Sequence, residues 1–167
     1  MSTLALYIIG TLSVLLHGIG TAQTSPVLSK LFIGSAVVLI IPDLYYSGGL
    51  HGAYQSIIIA ILFFLGALQL EKVEKLVKLF LPFFTLFLLY KLQEPIGILL
   101  VLAGITTTLA TIAKDNIKVK KFLFISLSCW GTYAFFNQAW FTLAFDILGI
   151  LGIFYSLNKE RKKALIN

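Results

Sequence analysis

An all-α membrane protein with seven transmembrane helices, N-terminus outside and C-terminus in the cytoplasm, is the fold class this sequence predicts. Three observations predict it. Hydrophobic residues make up 59% of the 167-residue chain and charged residues 12%, with a mean hydropathy of +0.96, whereas a soluble domain carries about 25% charged residues. The apolar residues fall in long runs separated by short polar breaks. The basic residues cluster in alternate breaks, as they do beside the cytoplasmic ends of membrane spans.

The spans follow in order. Thr3 to Gly20 is the first, closed by the polar stretch Thr21 to Pro26. No Lys or Arg precedes Lys30 and no small-residue cleavage site follows this run, so it reads as a retained helix rather than a signal peptide. The second span runs from near Lys30 to Pro42 and Asp43, and Ser47-Gly48-Gly49 makes the turn into a third from Leu50 to Leu70. Glu71-Lys72-Val73-Glu74-Lys75 leads into a fourth that ends near Tyr90, and Lys91 to Pro95 is the next break. Ile96 to Ala113 is the fifth, closed by Lys114 to Lys118. Phe122 to Leu157 is too long for one helix and divides at Asn137-Gln138 into the sixth and seventh. Several spans are near the short end of the ~17–25 residues that cross a bilayer core.

With the N-terminus outside, the segments after spans one, three, five and seven face the cytoplasm. They carry twelve of the thirteen Lys and Arg residues, and only Lys91 lies outside. Like orientation of the two ends also invites a repeat. A shift of 91 residues lays Lys30 on Lys121 and Ser35 on Ser126, with the Ser47-Gly48 turn over Gln138-Ala139. The predicted architecture is therefore a 3+1+3 parallel repeat: residues 1–70 form a first three-helix bundle, 71–94 a linker helix, 95–158 a second bundle and 159–167 a basic cytoplasmic tail.

Polar groups at membrane depth are the candidate site, because an ionisable side chain there costs at least ~2.5 kcal/mol. Asp146 stands inside the seventh span with no residue near it in sequence to neutralise it. It reads either as a substrate or proton site or as a helix-packing carboxylic acid. Gln55 takes the matching place on the third span at the 91-residue shift, so the two polar groups are expected to meet near one axis. Trp130 and Tyr133 lie in the small and polar run Ser126 to Tyr133 and are expected either to wall a bound solute or simply to pack. Asn137 and Gln138 read as turn residues, Trp140 as an interfacial aromatic, and Asp43 and His51 as outer-face residues. His17 belongs near the opposite face, which argues against a metal site made with Asp43 and His51. Cys129 is a lone thiol in an apolar run. The sequence carries no enzyme signature, no cofactor motif and no basic, aromatic-interleaved stripe for nucleic acid.

The run Phe124-Ile125-Ser126-Leu127-Ser128-Cys129-Trp130, followed by a turn and an acidic residue sixteen positions after the Trp, resembles the YgjV-type bacterial inner-membrane proteins. In that family the acidic residue is often Glu and the counterpart of Gln55 is often Asn. More distantly the chain is similar to the SWEET sugar transporters and the PnuC vitamin transporters. That resemblance implies two three-helix bundles joined by a linker helix, with solute held between them near mid-membrane. Trp130 and Asp146 match the solute-contacting Trp and Asn of the second SWEET bundle. In the first bundle Leu39 stands where Trp is usual and Gln55 where Asn is usual, so a sugar is not implied.

These readings predict a transporter or facilitator of a small polar solute in the bacterial inner membrane, with Asp146, Gln55, Trp130 and Tyr133 as its binding residues. The alternative, from a different class, is a structural or regulatory membrane protein that partners another complex. The expected partners are the lipid bilayer and the solute, with no nucleic acid, metal or cofactor; a homo-oligomer is compatible with the sequence.

Overall fold

The computed structural model describes residues 2–22, 26–112 and 116–166. Among these residues the chain is all helical, with no strand: α1 (Thr3–Ala22), α2 (Pro26–Tyr46), α3 (Leu50–Ala67), α4 (Glu71–Leu92), a single 3-10 turn at Pro95–Gly97, α5 (Ile98–Ile112), α6 (Asn116–Phe136) and α7 (Trp140–Ile166). The breaks expected between spans one and two and between spans five and six include 23–25 and 113–115, which lie outside the described residues. By length and composition alone, α3 is the one helix among the described residues that is long and apolar enough to cross a membrane. Shorter apolar stretches lie at Thr3–Ile19, Pro95–Ala110 and Trp140–Phe154.

The helix ends have a common backbone cause. Gly48, Gln69 and Gln138 adopt positive φ. At each, two amides fold back on the helix just finished: Gly48 N to Tyr45 O with Gly49 N to Leu44 O, Gln69 N to Gly66 O with Leu70 N to Leu65 O, and Gln138 N to Phe135 O with Ala139 N to Ala134 O. This paired pattern satisfies carbonyls that a helix end leaves open. Gln93, at φ 52, closes α4 with one such bond, to Leu89 O. Glutamine takes the left-handed position three times where glycine is the usual choice, and only at Gly48 does the sequence announce it.

Each helix packs on its neighbours in sequence, and α7 closes back against α1 and also meets α2. The interior is built from Ile40 and Leu44 on α2, Ala53 on α3, Leu100 and Ala103 on α5, and Trp130, Tyr133 and Ala134 on α6. The outside is apolar. On α4, Leu79, Phe83 and Tyr90 are 63%, 64% and 77% exposed, while Thr85 on the same helix is fully buried. An apolar surface over a partly polar interior reverses the soluble pattern and is the arrangement a hydrocarbon solvent favours.

Several contacts recur 90 residues apart. Four of the five backbone bonds of the 43–53 turn reappear between 133 and 143; the bond from Leu50 N to Gly48 O has no counterpart there. Asp43 Oδ2 accepts from Thr142 N at 2.9 Å, and at the same offset Tyr133 Oη accepts from Gly52 N at 3.1 Å. Ser13 donates to Ala36 O, and in the equivalent pair Ser126 donates to Ala103 O. The offset is one residue shorter than the 91 that superposes Lys30 on Lys121, because the turns and contacts, not the lysines, set the structural register. One residue rotates a helix position by 100°: the 91-residue shift lays Gln55 on Asp146, whereas the 90-residue offset of these contacts lays Gln55 on Phe145 and Ser56 on Asp146.

At the other end, Lys30 Nζ donates to Gly66 O at 3.2 Å, and Glu74 pairs with Lys78 at 2.6 Å. The hydrogen bond from Lys78 holds the Glu74 carboxyl below its ordinary range. Close helix approach depends on glycine at a few places. A Cβ on Gly10 would stand 2.3 Å from Phe141 Cγ, at the seam where α1 meets α7. Gly10→Ala is therefore expected to cost about 1–3 kcal/mol by overpacking. Gly18→Ala, where the added methyl meets open space, is expected to be neutral. The midpoint of denaturation in mixed detergent micelles reads the difference.

Candidate functional site

The first turn of a helix has four amide groups without partners inside the helix. In α3 no side chain of its own caps them, and the structure accounts for each. Leu50 N bonds Gly48 O and Ala53 N bonds Gly49 O. His51 N donates to Glu94 Oε1 at 3.1 Å, and Gly52 N donates to Tyr133 Oη. Tyr133 in turn donates its hydroxyl hydrogen to Glu94 Oε2 at 2.7 Å. Glu94 from the α4–α5 connection and Tyr133 from the end of α6 thus clamp the start of α3. The α7 start is capped in the corresponding way, with Asp43 of α2 accepting from both the amide and the hydroxyl of Thr142 at 2.9 Å. Carboxylates at helix N-termini also gain from the helix dipole.

From this clamp a polar strip runs inward between α3, α4, α5 and α6. His51 is fully buried and neither ring nitrogen completes a hydrogen bond; the Thr85 carbonyl approaches the ring without good bonding geometry. The ring takes the space that a side chain at Gly97 would need, since a Cβ there would lie 2.4 Å from His51 Nδ1. One turn further along α3, Gln55 is also fully buried. Its Nε2 donates to Leu100 O at 3.2 Å and its Oε1 has no partner. Gln55 and Thr85 converge on Gly104, where an added methyl would lie 3.2 Å from Gln55 Nε2 and 3.4 Å from Thr85 Oγ1. Deeper between α5 and α6, Thr107 and Ser126 share a hydrogen bond of 2.7 Å. Trp130 stands edge-on to Tyr133, ring centroids 6.4 Å apart, and covers Gly52.

Three of the four residues singled out in the sequence therefore belong to this region: Tyr133 and Trp130 on α6, and Gln55 on the facing side of α3. The fourth does not. Asp146 lies on the α6–α7 seam beside Gly131, 3% exposed, with Oδ2 unpartnered. Gln55 lies against Leu100 and Gly104 of α5, whereas Asp146 lies beside Gly131 of α6. His17 is separate again, stacked on Phe145 of α7 at 3.6 Å between ring centroids. Among the described residues no cluster of His, Cys, Asp or Glu is placed to hold a metal ion. Glu94 and Thr85 are the members that sequence reasoning missed. Glu94 is acidic beside a proline and reads as a break residue, and its partners are 39 and 43 positions away.

An apolar exterior around buried polar groups defines a helical membrane protein. Residues 4–164 match the family Imp-YgjV, described as bacterial inner membrane protein, and the chain belongs to that family. No curated protein and no solved structure gives a significant match.

Proposed function

We propose that the chain is a multi-pass carrier for a small polar solute, with seven spans, N-terminus out and C-terminus in, built as a parallel 3+1+3 repeat. The observation that carries this reading is the polar strip. The ring nitrogens of His51, approached by the Thr85 carbonyl without a well-formed hydrogen bond, and the unpartnered Oε1 of Gln55 are buried between elements of the two halves and the linker helix α4. A buried polar atom left unsatisfied costs about 1–3 kcal/mol, a cost that water or a polar solute in the strip removes. Gln55 and Thr85 supply hydrogen bonds to the solute, and Trp130 with Tyr133 supplies an aromatic wall.

The contacts that recur 90 residues apart support the repeat, and the positive-inside distribution of lysines and arginines supports the orientation. Asp43–Thr142 and Tyr133–Gly52 then tie each half to the other at the outer end, so outward opening requires both ties to break. This agrees with the rocking of two bundles that the resemblance to SWEET and PnuC carriers implies.

The test is access of water to the strip. In a Cys129→Ser background, Gln55→Cys and Trp130→Cys are each labelled with a membrane-impermeant thiol reagent applied from either face. Labelling of Gln55→Cys is expected. Silence at both positions in folded protein overturns the carrier reading in favour of a structural or regulatory subunit. With labelling in hand, Gln55→Leu is expected to abolish uptake of the transported solute in proteoliposomes while leaving protein abundance unchanged.

A further inference from the structure

Asp146 remains outside the strip, and its surroundings are specific. Leu127, Gly131, Phe135, Leu143, Asp146 and Ile147 line part of a groove of 340 Å³ between α6 and α7 that opens on the outer surface of the bundle. The walls are apolar, and among the described residues lining it none is basic. Its two hydroxyls already donate within α6, Ser128 to Phe124 O at 2.8 Å and Thr132 to Ser128 O at 2.7 Å. The carboxyl oxygen Oδ2 is therefore without a donor from the groove itself. Gly131 lies against the Asp146 side chain, where an added Cβ would stand at ordinary contact distance, 3.5 Å from Asp146 Cβ. A carboxyl in an apolar pocket is held neutral unless an occupant brings a compensating positive charge, and this groove has room for one.

We propose that this groove is a lateral binding site for an amphiphilic ammonium compound, its nitrogen paired with Asp146 and its apolar body against Phe135, Leu143 and Ile147. The volume is that of a single small-molecule site, at the lower end of the ~300–1,000 Å³ usual for such pockets. A lipid headgroup is the poorer fit, because six helical residues below Trp140 place the carboxyl about 9 Å inside the interfacial level. The site stands whether or not the chain is a carrier, because it shares no residue with the strip.

The experiment is equilibrium dialysis of radiolabelled tetrabutylammonium against the full chain in nanodiscs of zwitterionic lipid. One saturable site per chain is expected. Asp146→Asn should weaken it by about tenfold or more, Asp146→Glu should retain it, and Gln55→Leu should leave it unchanged. If Asp146→Asn does not fold, Thr132→Leu fills the groove while sparing the carboxyl and is expected to abolish binding. Non-saturable partitioning overturns the proposal, as does binding that survives Asp146→Asn or Thr132→Leu. So does a native chain that binds no cation but changes oligomeric state in Asp146→Asn, which would make the groove a seam between copies.

Discussion

Tyr133→Phe is expected to destabilise the protein by roughly 2–3 kcal/mol although it removes a single oxygen, because that oxygen serves a buried amide and a half-buried carboxylate. The hydroxyl accepts from Gly52 N and donates to Glu94. Without it an amide in the first turn of α3 and one carboxylate oxygen lose their partners together. The ring itself stays, so its packing against Trp130 and over Gly49 and Gly52 is retained. Glu94→Gln provides the comparison. It keeps one amide oxygen to accept from His51 N and should cost less than Tyr133→Phe. A denaturation series in mixed micelles orders the two variants. A Tyr133→Phe protein as stable as the native chain would mean that the clamp is fully hydrated and that α3 does not depend on it.

The clamp also marks the boundary of what could be read from sequence. The helices were legible because each polar break interrupts an apolar run: Ser47 to Gly49, Glu71 onward, Lys91 to Pro95 and Asn137-Gln138 all fall where helices end or begin. Tyr133, Trp130 and Gln55 were legible as polar or aromatic groups in apolar company. Partners were not legible, since Glu94 reaches Tyr133 across 39 positions and Asp43 reaches Thr142 across 99. Nor was the register. The lysines match at 91 residues, whereas four hydrogen bonds of the turns repeat at 90. On a helix that single step is a rotation of 100°. The left-handed glutamines at 69, 93 and 138 were hidden for a similar reason: their conformation follows from the chain reversal, not from a residue preference.

Asp43→Ala is the corresponding test at the other tie. Asp43 is 5% exposed and its Oδ2 takes both the amide and the hydroxyl of Thr142. Its removal leaves two buried donors at the start of α7, for an expected loss of about 2–4 kcal/mol. Asp43→Asn keeps an acceptor oxygen but not the charge, and should cost less. Thr142→Val removes the hydroxyl alone and leaves the amide bond, so a double-mutant cycle with Asp43→Ala isolates the side-chain pair, expected at about 1–2 kcal/mol of coupling. The two ties make a further comparison available. If they hold the outer ends of two halves together, combining Asp43→Ala with Tyr133→Phe should raise thiol labelling of Gln55→Cys from the outer face by more than either change alone. Equal labelling in single and double variants, in protein that remains folded, would make the ties local caps with no part in gating.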